Sequence, residues 1–206
     1  MIRPPEPNPV PEPLVPGWPA DIRRWVLEVA RTVLFVAALY LVLNTFVVQP
    51  VEVEMRSMQP LLVEGDHLLV DRLSLRWDAP DRGEVVVFDA PSPYGDDGVP
   101  YVKRVIGLPG ETIQIENGRI YVSGPDAPPF RLDEPYLTDG TVTLPQGPAG
   151  SREWRVPEGS VFVLGDNRSD SLDSRTFGPI GLDRLIGRAL VRYLPLDRIG
   201  FVSSRD

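Results

Sequence analysis

The sequence predicts a mainly β protein in which an N-terminal transmembrane helix precedes an antiparallel β domain with a small peripheral extension. Three observations predict it: an uncharged apolar run from Thr32 to Val48, a series of short apolar segments after residue 51, and an Asn117-Gly118 pair between two alternating segments. A chain of 206 residues suffices for one domain with a proper core and a smaller appendage.

Residues 1–20 are rich in proline and poor in side chains able to pack, which predicts a disordered cytoplasmic tail. A single transmembrane helix is expected over 21–50. At about 1.5 Å per residue, the uncharged run covers most of a hydrocarbon core of about 30 Å, and extension back to Trp25 supplies the rest. Glu28 and Arg31 lie one turn apart, able to pair or snorkel at the interface beside Trp25. The run is too long and too uniformly apolar for a buried soluble helix. Gln49-Pro50-Val51-Glu52 offers no small-x-small site, which argues against a cleaved leader. Arg3, Arg23, Arg24 and Arg31 precede the run, whereas Glu52 and Glu54 follow it, so the expected orientation has the N-terminus in the cytoplasm and 51–206 outside.

The β domain is read from its punctuation. Thr112 to Glu116 alternates, Asn117-Gly118 suits the positive φ angles of a two-residue turn, and Arg119 to Val122 returns as the second arm of a hairpin. Further strands are expected at His67 to Val70, Glu84 to Phe88, Val99 to Ile106, Ser160 to Leu164 and Leu185 to Leu194, each bounded by Gly, Pro or Asp. The Pro/Gly-rich stretch 124–157 is expected to be an irregular extension.

Composition removes several chemistries. A net charge of -8 with no dense cationic stripe argues against nucleic acid as a partner. No cysteine means no disulfide, no thiolate metal site and no Cys nucleophile. His67 is the only histidine, so a His-rich zinc site is out of reach, and its place at a strand start reads as a partly exposed edge residue. Lys103 is the only lysine, every other basic residue being arginine. A coding bias towards Arg accounts for much of this. The alternative is that position 103 requires an ammonium able to become an amine, which a guanidinium cannot do. Lysine titrates near 10.4, and burial among apolar groups lowers that value. A fall of about two or three pH units costs roughly 3 to 4 kcal/mol, which a domain of this size sustains. Tyr101, Val102, Val105 and Ile106 flank Lys103, with Tyr101 and Val105 on its own face of a strand.

Four blocks in order then carry a resemblance: Ser57-Met58-Gln59-Pro60-Leu61 with Gly65-Asp66; Arg82-Gly83-Glu84-Val85-Val86-Val87-Phe88; Tyr101-Val102-Lys103-Arg104-Val105-Ile106-Gly107-Leu108-Pro109-Gly110-Glu111; and Gly165-Asp166-Asn167-Arg168-Ser169-Asp170-Ser171-Leu172-Asp173-Ser174-Arg175. Together they resemble the type I signal peptidases over about residues 25 to 195. That resemblance implies a membrane-anchored serine endopeptidase whose β domain is catalytic and removes signal peptides from exported preproteins at a small-x-small site. It implies Ser57 as nucleophile, Lys103 as general base and Ser171 as a hydroxyl that holds the lysine. Asp173 and Arg175 become a structural ion pair beneath the site, and Asn167 and Arg168 shape a turn. Val53, Met58, Leu62, Tyr101 and Val102 become walls of a shallow apolar substrate pocket, although core packing explains Leu62 and Val102 equally well. The implied partners are signal peptides and the lipid bilayer, which Trp77 is placed to touch; no metal or organic cofactor is implied.

Two positions depart from the family pattern. Arg56 stands where many relatives have a small residue, and Met55 stands where several have a hydroxyl that helps to stabilise the oxyanion. These departures support an alternative, a catalytically impaired membrane-tethered β domain of the same fold. A self-cleaving regulator of the repressor type shares the Ser/Lys chemistry, but the N-terminal region offers no DNA-reading helical domain.

Overall fold

Helix formers without a Gly or Pro among them carry α1 from Ala20 to Val42, and Asp21 in its first turn complements the positive end of the backbone dipole. The computed structural model describes residues 19–42, 48–95, 98–125, 127–147 and 150–202. After Val42 the chain divides into two compact units.

The membrane span expected over 21–50 is not supported among the described residues, and its end at residue 50 is corrected by the strand that begins at Val48. Asp21, Arg23, Arg24, Glu28 and Arg31 charge the first half of α1. Its uncharged remainder, Thr32 to Val42, covers about 16 Å at about 1.5 Å per residue, roughly half of a hydrocarbon core of about 30 Å. Residues 43–47, like the tail 1–18, lie outside the described residues, and Val48 already belongs to a strand. No helix among the described residues is long and apolar enough to cross a membrane.

The second unit is built of short strands: β1 (Val48–Glu52), β2 (His67–Asp71), β3 (Val85–Phe88), β4 (Tyr101–Gly107), β5 (Thr112–Glu116) and β6 (Arg119–Ser123). They continue as β7 (Phe130–Arg131), β8 (Glu153–Arg155), β9 (Ser160–Leu164), β10 (Ile180–Gly181), β11 (Leu185–Leu194) and β12 (Gly200–Phe201). A four-residue helix, α2 (Ser174–Phe177), precedes β10. The stretch 124–157 is therefore not wholly irregular, because β7 and β8 add to the two arms of the hairpin. That hairpin turns where expected, with Glu116 opposite Arg119 and positive φ angles of 48° at Asn117 and 75° at Gly118.

All pairings are antiparallel. One sheet runs β1-β2-β11-β3-β4-β9-β10 with β12 beside β11, and the other runs β7-β6-β5-β8. The strand β4 is buried along its whole length, as a central strand covered on both faces must be. Tyr101 and Val105 join a cluster with Val86, Phe88, Val161 and Val163, while Val102 joins one with Val53, Met58, Leu62 and Leu68. Ile106 packs with Phe162, Leu164 and the inner face of the hairpin, Ile113, Ile115, Ile120 and Val122, which fastens the second sheet to the first. The two sheets meet so closely that a Cβ on Gly107 would lie 2.8 Å from Ile113 Cδ1.

Candidate active site

The site is assembled from three chain segments. The first is the turn after β1, which carries Ser57. Beyond β1 the backbone stays paired, Val53 N donating to the Asp66 carbonyl and Gly65 N to the Val53 carbonyl, and it then folds back through Met58 and Leu62. Asp66 is fully buried and holds this turn from beneath, accepting from Val63 N, Arg192 and Arg198.

The second segment is β4, which delivers Lys103. Its Nζ lies 2.8 Å from Ser57 Oγ, and it also donates to its neighbour's carbonyl, Val102 O, at 3.2 Å. Lys103 is 1 % exposed and Ser57 8 %, so the contact is shielded from bulk water. Burial pulls the ammonium well below the usual lysine range, to about 8, while the Asp173 carboxylate works in the opposite sense. The Tyr101 ring, 5.0 Å from Nζ, is the aromatic neighbour of the amine.

The third segment is the loop from Gly165 to Arg175, which follows β9. It grips the Ser57 turn directly, because Asn167 N donates to the Ser57 carbonyl at 2.9 Å and Asn167 Nδ2 to the Arg56 carbonyl at 3.3 Å. Gly165 is required by space: a Cβ there would lie 2.2 Å from Ser171 Oγ and 2.5 Å from the Ser57 carbonyl oxygen. The Ser171 hydroxyl is buried against this glycine and has no hydrogen-bond partner among the described residues. Asp173 and Arg175 are fully buried and make a two-pronged pair, Nε to Oδ1 at 2.9 Å and Nη2 to Oδ2 at 2.8 Å. Asp173 also accepts from Gly165 N and Arg175 N, capping α2.

A shallow, narrow groove opens beside Ser57, with Val53, Met58 and Val102 among its walls. Leu62 and Tyr101 do not line it. Leu62 is wholly in the core, and Tyr101 turns its ring towards Phe88 while its hydroxyl donates to the Tyr94 carbonyl. His67 sits beside the Tyr193 ring, and Trp77 is exposed. A more polar hollow, lined by Arg119, Arg131 and Asp139 among others, belongs to the second sheet and contains none of these groups. Among the described residues no group of three or more acidic or histidine side chains is placed to hold a metal ion.

Several supports escaped the sequence. Arg104, next to Lys103, is fully buried, pairs with Asp166 through two bonds of 2.8 and 2.7 Å, and lies 3.9 Å from the Tyr136 ring centroid. Arg168 does more than shape a turn: it donates to the Gly165 carbonyl, to Thr143 and to Glu134, tying the extension to the loop. The one available signal was that these two arginines stand within an otherwise apolar run and a tightly turned segment, which demands buried partners without saying which.

Comparison with known proteins places these elements in context. A family model described as signal peptidase, peptidase S26, matches residues 24–194. The chain is 34% identical over 180 residues to a probable signal peptidase I-2 of Synechocystis sp., covering 86% of this chain and 78% of that protein. A probable signal peptidase I-1 of the same organism is 37% identical over 171 residues, 81% of each chain. Signal peptidase IB of Staphylococcus aureus is 34% identical over 187 residues, 85% of this chain and 91% of the relative.

Asp173→Asn should cost about 3 to 5 kcal/mol in urea unfolding, because Arg175 would keep an interior charge with no carboxylate to match it. Adding Arg175→Met should restore much of that loss; strictly additive losses would contradict the pairing.

Proposed function

We infer, for a chain that belongs to the signal peptidase, peptidase S26 family and is a serine endopeptidase, that Ser57 is its nucleophile and Lys103 its general base. Family members remove signal peptides, and the substrates proposed here are exported preproteins cut after a small-x-small pattern. The observation that carries the reading is the 2.8 Å contact between a buried lysine nitrogen and a serine hydroxyl. Once Lys103 is neutral the direction of that bond reverses, and the Ser57 hydroxyl donates to Nζ. As Oγ attacks the scissile carbonyl, its proton passes to Nζ. The ammonium so formed protonates the departing amine, leaving an ester on Ser57. Lys103, neutral again, takes a proton from water as its oxygen attacks the ester, and returns that proton to Ser57 Oγ as the ester bond breaks, which restores the hydroxyl and the free amine.

Ser171, Asp173 and Arg175 serve as supports. The buried and unpartnered Ser171 hydroxyl is the group available to orient the amine, while the Asp173–Arg175 pair holds the loop that carries it. For the oxyanion, the Ser57 N–H is the donor at hand, since it makes no hydrogen bond among the described residues. Met55 packs against the Val86 and Phe88 cluster, and a thioether has no proton to donate. Val53, Met58 and Val102 are the walls suited to small apolar side chains. Leu62 packs with Val53, Met58 and Val102 and supports the walls from behind.

Activity should rise with pH through about 8, because the neutral amine is the reactive form. At pH 7 about a tenth of the lysine is neutral, against less than one in a thousand for an ordinary lysine. Lys103→Arg should abolish that limb together with turnover, and Ser57→Ala should reduce preprotein cleavage about a thousandfold or more while the domain stays folded. Cleavage undiminished in Ser57→Ala, or an unchanged limb in Lys103→Arg, would contradict the assignment.

Attachment of the N-terminal segment to the bilayer, with its N-terminus cytoplasmic and the β domain outside, completes the proposal. The support is that α1 exposes Trp25, Leu34, Phe35 and Leu41, and that arginines precede its uncharged part whereas Glu52 and Glu54 follow. The full chain should stay with membranes through alkaline carbonate washing, and external protease should digest the β domain of intact cells or spheroplasts. Release by carbonate, or protection of the domain until lysis, would overturn this part.

A further inference from the structure

The groove beside Ser57 has a charge pattern that its apolar walls do not require. One wall is the chain running on from β1 through Glu52, Val53 and Glu54 to the nucleophile turn. Val53 is buried, whereas Glu52 and Glu54 are exposed, as alternation along an extended segment dictates. Neither carboxylate has an ion-pair partner among the described residues. Arg56, the cation nearest in sequence, is 4.0 Å from Glu64 and is not part of the groove lining. Lys103 is buried behind Ser57. The charged residues along the groove are therefore Glu52 and Glu54, of one sign, in a chain whose net charge is already -8.

The backbone of this wall fixes how an extended peptide lies on it. Among the described residues β1 pairs with β2 alone and is an edge strand. Val53 directs its N–H and carbonyl towards the β2 side, to Asp66 and from Gly65, so the peptide groups of Glu52 and Glu54 face the opposite, open edge. A peptide added there would place alternate side chains on the two faces of the extended sheet. Side chains directed into the groove meet Val53, Met58 and Val102, whose close walls admit only small groups. The side chain between two such small residues points the other way, onto the face that carries Glu52 and Glu54, within reach of a cross-strand pair.

We propose that Glu52 and Glu54 form an acidic rim that selects the middle residue of the small-x-small pattern, favouring Lys or Arg there and disfavouring Asp or Glu. This rests on the reading of Ser57 and the groove as the peptidase site. Exposed pairs of this kind are weak, so the selection is graded rather than absolute, about two- to tenfold between a basic and an acidic residue.

The test uses the full chain in a nonionic detergent and three peptide substrates that differ only in that middle residue: Lys, Gln and Glu. In the wild type, kcat/KM should rank Lys above Gln above Glu. The Lys-to-Glu ratio should shrink as salt is raised to about 0.5 M, since exposed charges are then screened. It should fall towards one in the Glu52→Gln/Glu54→Gln double variant, with the Gln peptide as the internal reference for each enzyme. Equal cleavage of all three peptides by the wild type would overturn the rim proposal and leave the peptidase reading standing, as would an unchanged ranking in the double variant. Cleavage of none of them would overturn both.

Discussion

An amine held out of water is the constraint on which this structure depends. Lys103 lies on β4, whose seven residues are all buried, between β3 and β9 and against hydrophobic clusters on either face. Taking its pKa down to about 8 means that holding the ammonium costs the folded domain roughly 3 kcal/mol at neutral pH. The sign follows from linkage. The folded pKa is below the unfolded value, so the penalty is present in full below about 8 and fades as pH rises towards the ordinary lysine range. Stability is given up at neutral pH, and the proposed role of Lys103 as a base is what that sacrifice would serve.

Such a position tolerates few errors nearby, which explains the concentration of buried ion pairs around it. Arg104 with Asp166, Arg175 with Asp173, and Arg168 with Glu134 each anchor the Gly165–Arg175 loop. Pairs of this kind are poor sources of net stability, yet they are costly to break, and they therefore hold geometry better than they add free energy. Asp173 shows the balance required. Its charge works against the depression of the lysine, and the two guanidinium bonds from Arg175 draw much of that charge to themselves. The extension joins in through Glu134, Thr143 and Tyr136, so a segment that reads as peripheral braces the loop that grips Ser57.

Features set by local rules were legible before the fold was in view. The Asn117-Gly118 turn, the alternation of β5 and β6, and the runs that became β9 and β11 are properties of neighbouring residues. The lone Lys103 could be singled out because one residue type was absent everywhere else, and the family resemblance paired it with Ser57. Long-range electrostatics left no comparable trace: Asp66 meets Arg192 and Arg198 more than 120 positions away. Gly165 carries no positive-φ signature, its need being space for Ser171 and Ser57. The two-residue strand β7 and three-residue strand β8 are too short for any periodicity, and exist because the hairpin offers them edges. Leu62 and Tyr101 were expected in the groove but do not line it, because a strand or turn residue faces core or solvent according to a register that composition does not reveal. The apolar run after Thr32 suggested a span reaching residue 50, whereas the chain is already a strand at Val48.

Because Lys103 is the only lysine in the chain, incorporating lysine labelled with carbon-13 at Cε yields a single side-chain signal. Its chemical shift, followed across pH in the full chain, reports the titration of this amine and no other. A midpoint near 8, moving when Ser57 is acylated, is what the account predicts. A midpoint near 10, where a solvated lysine titrates, would contradict it.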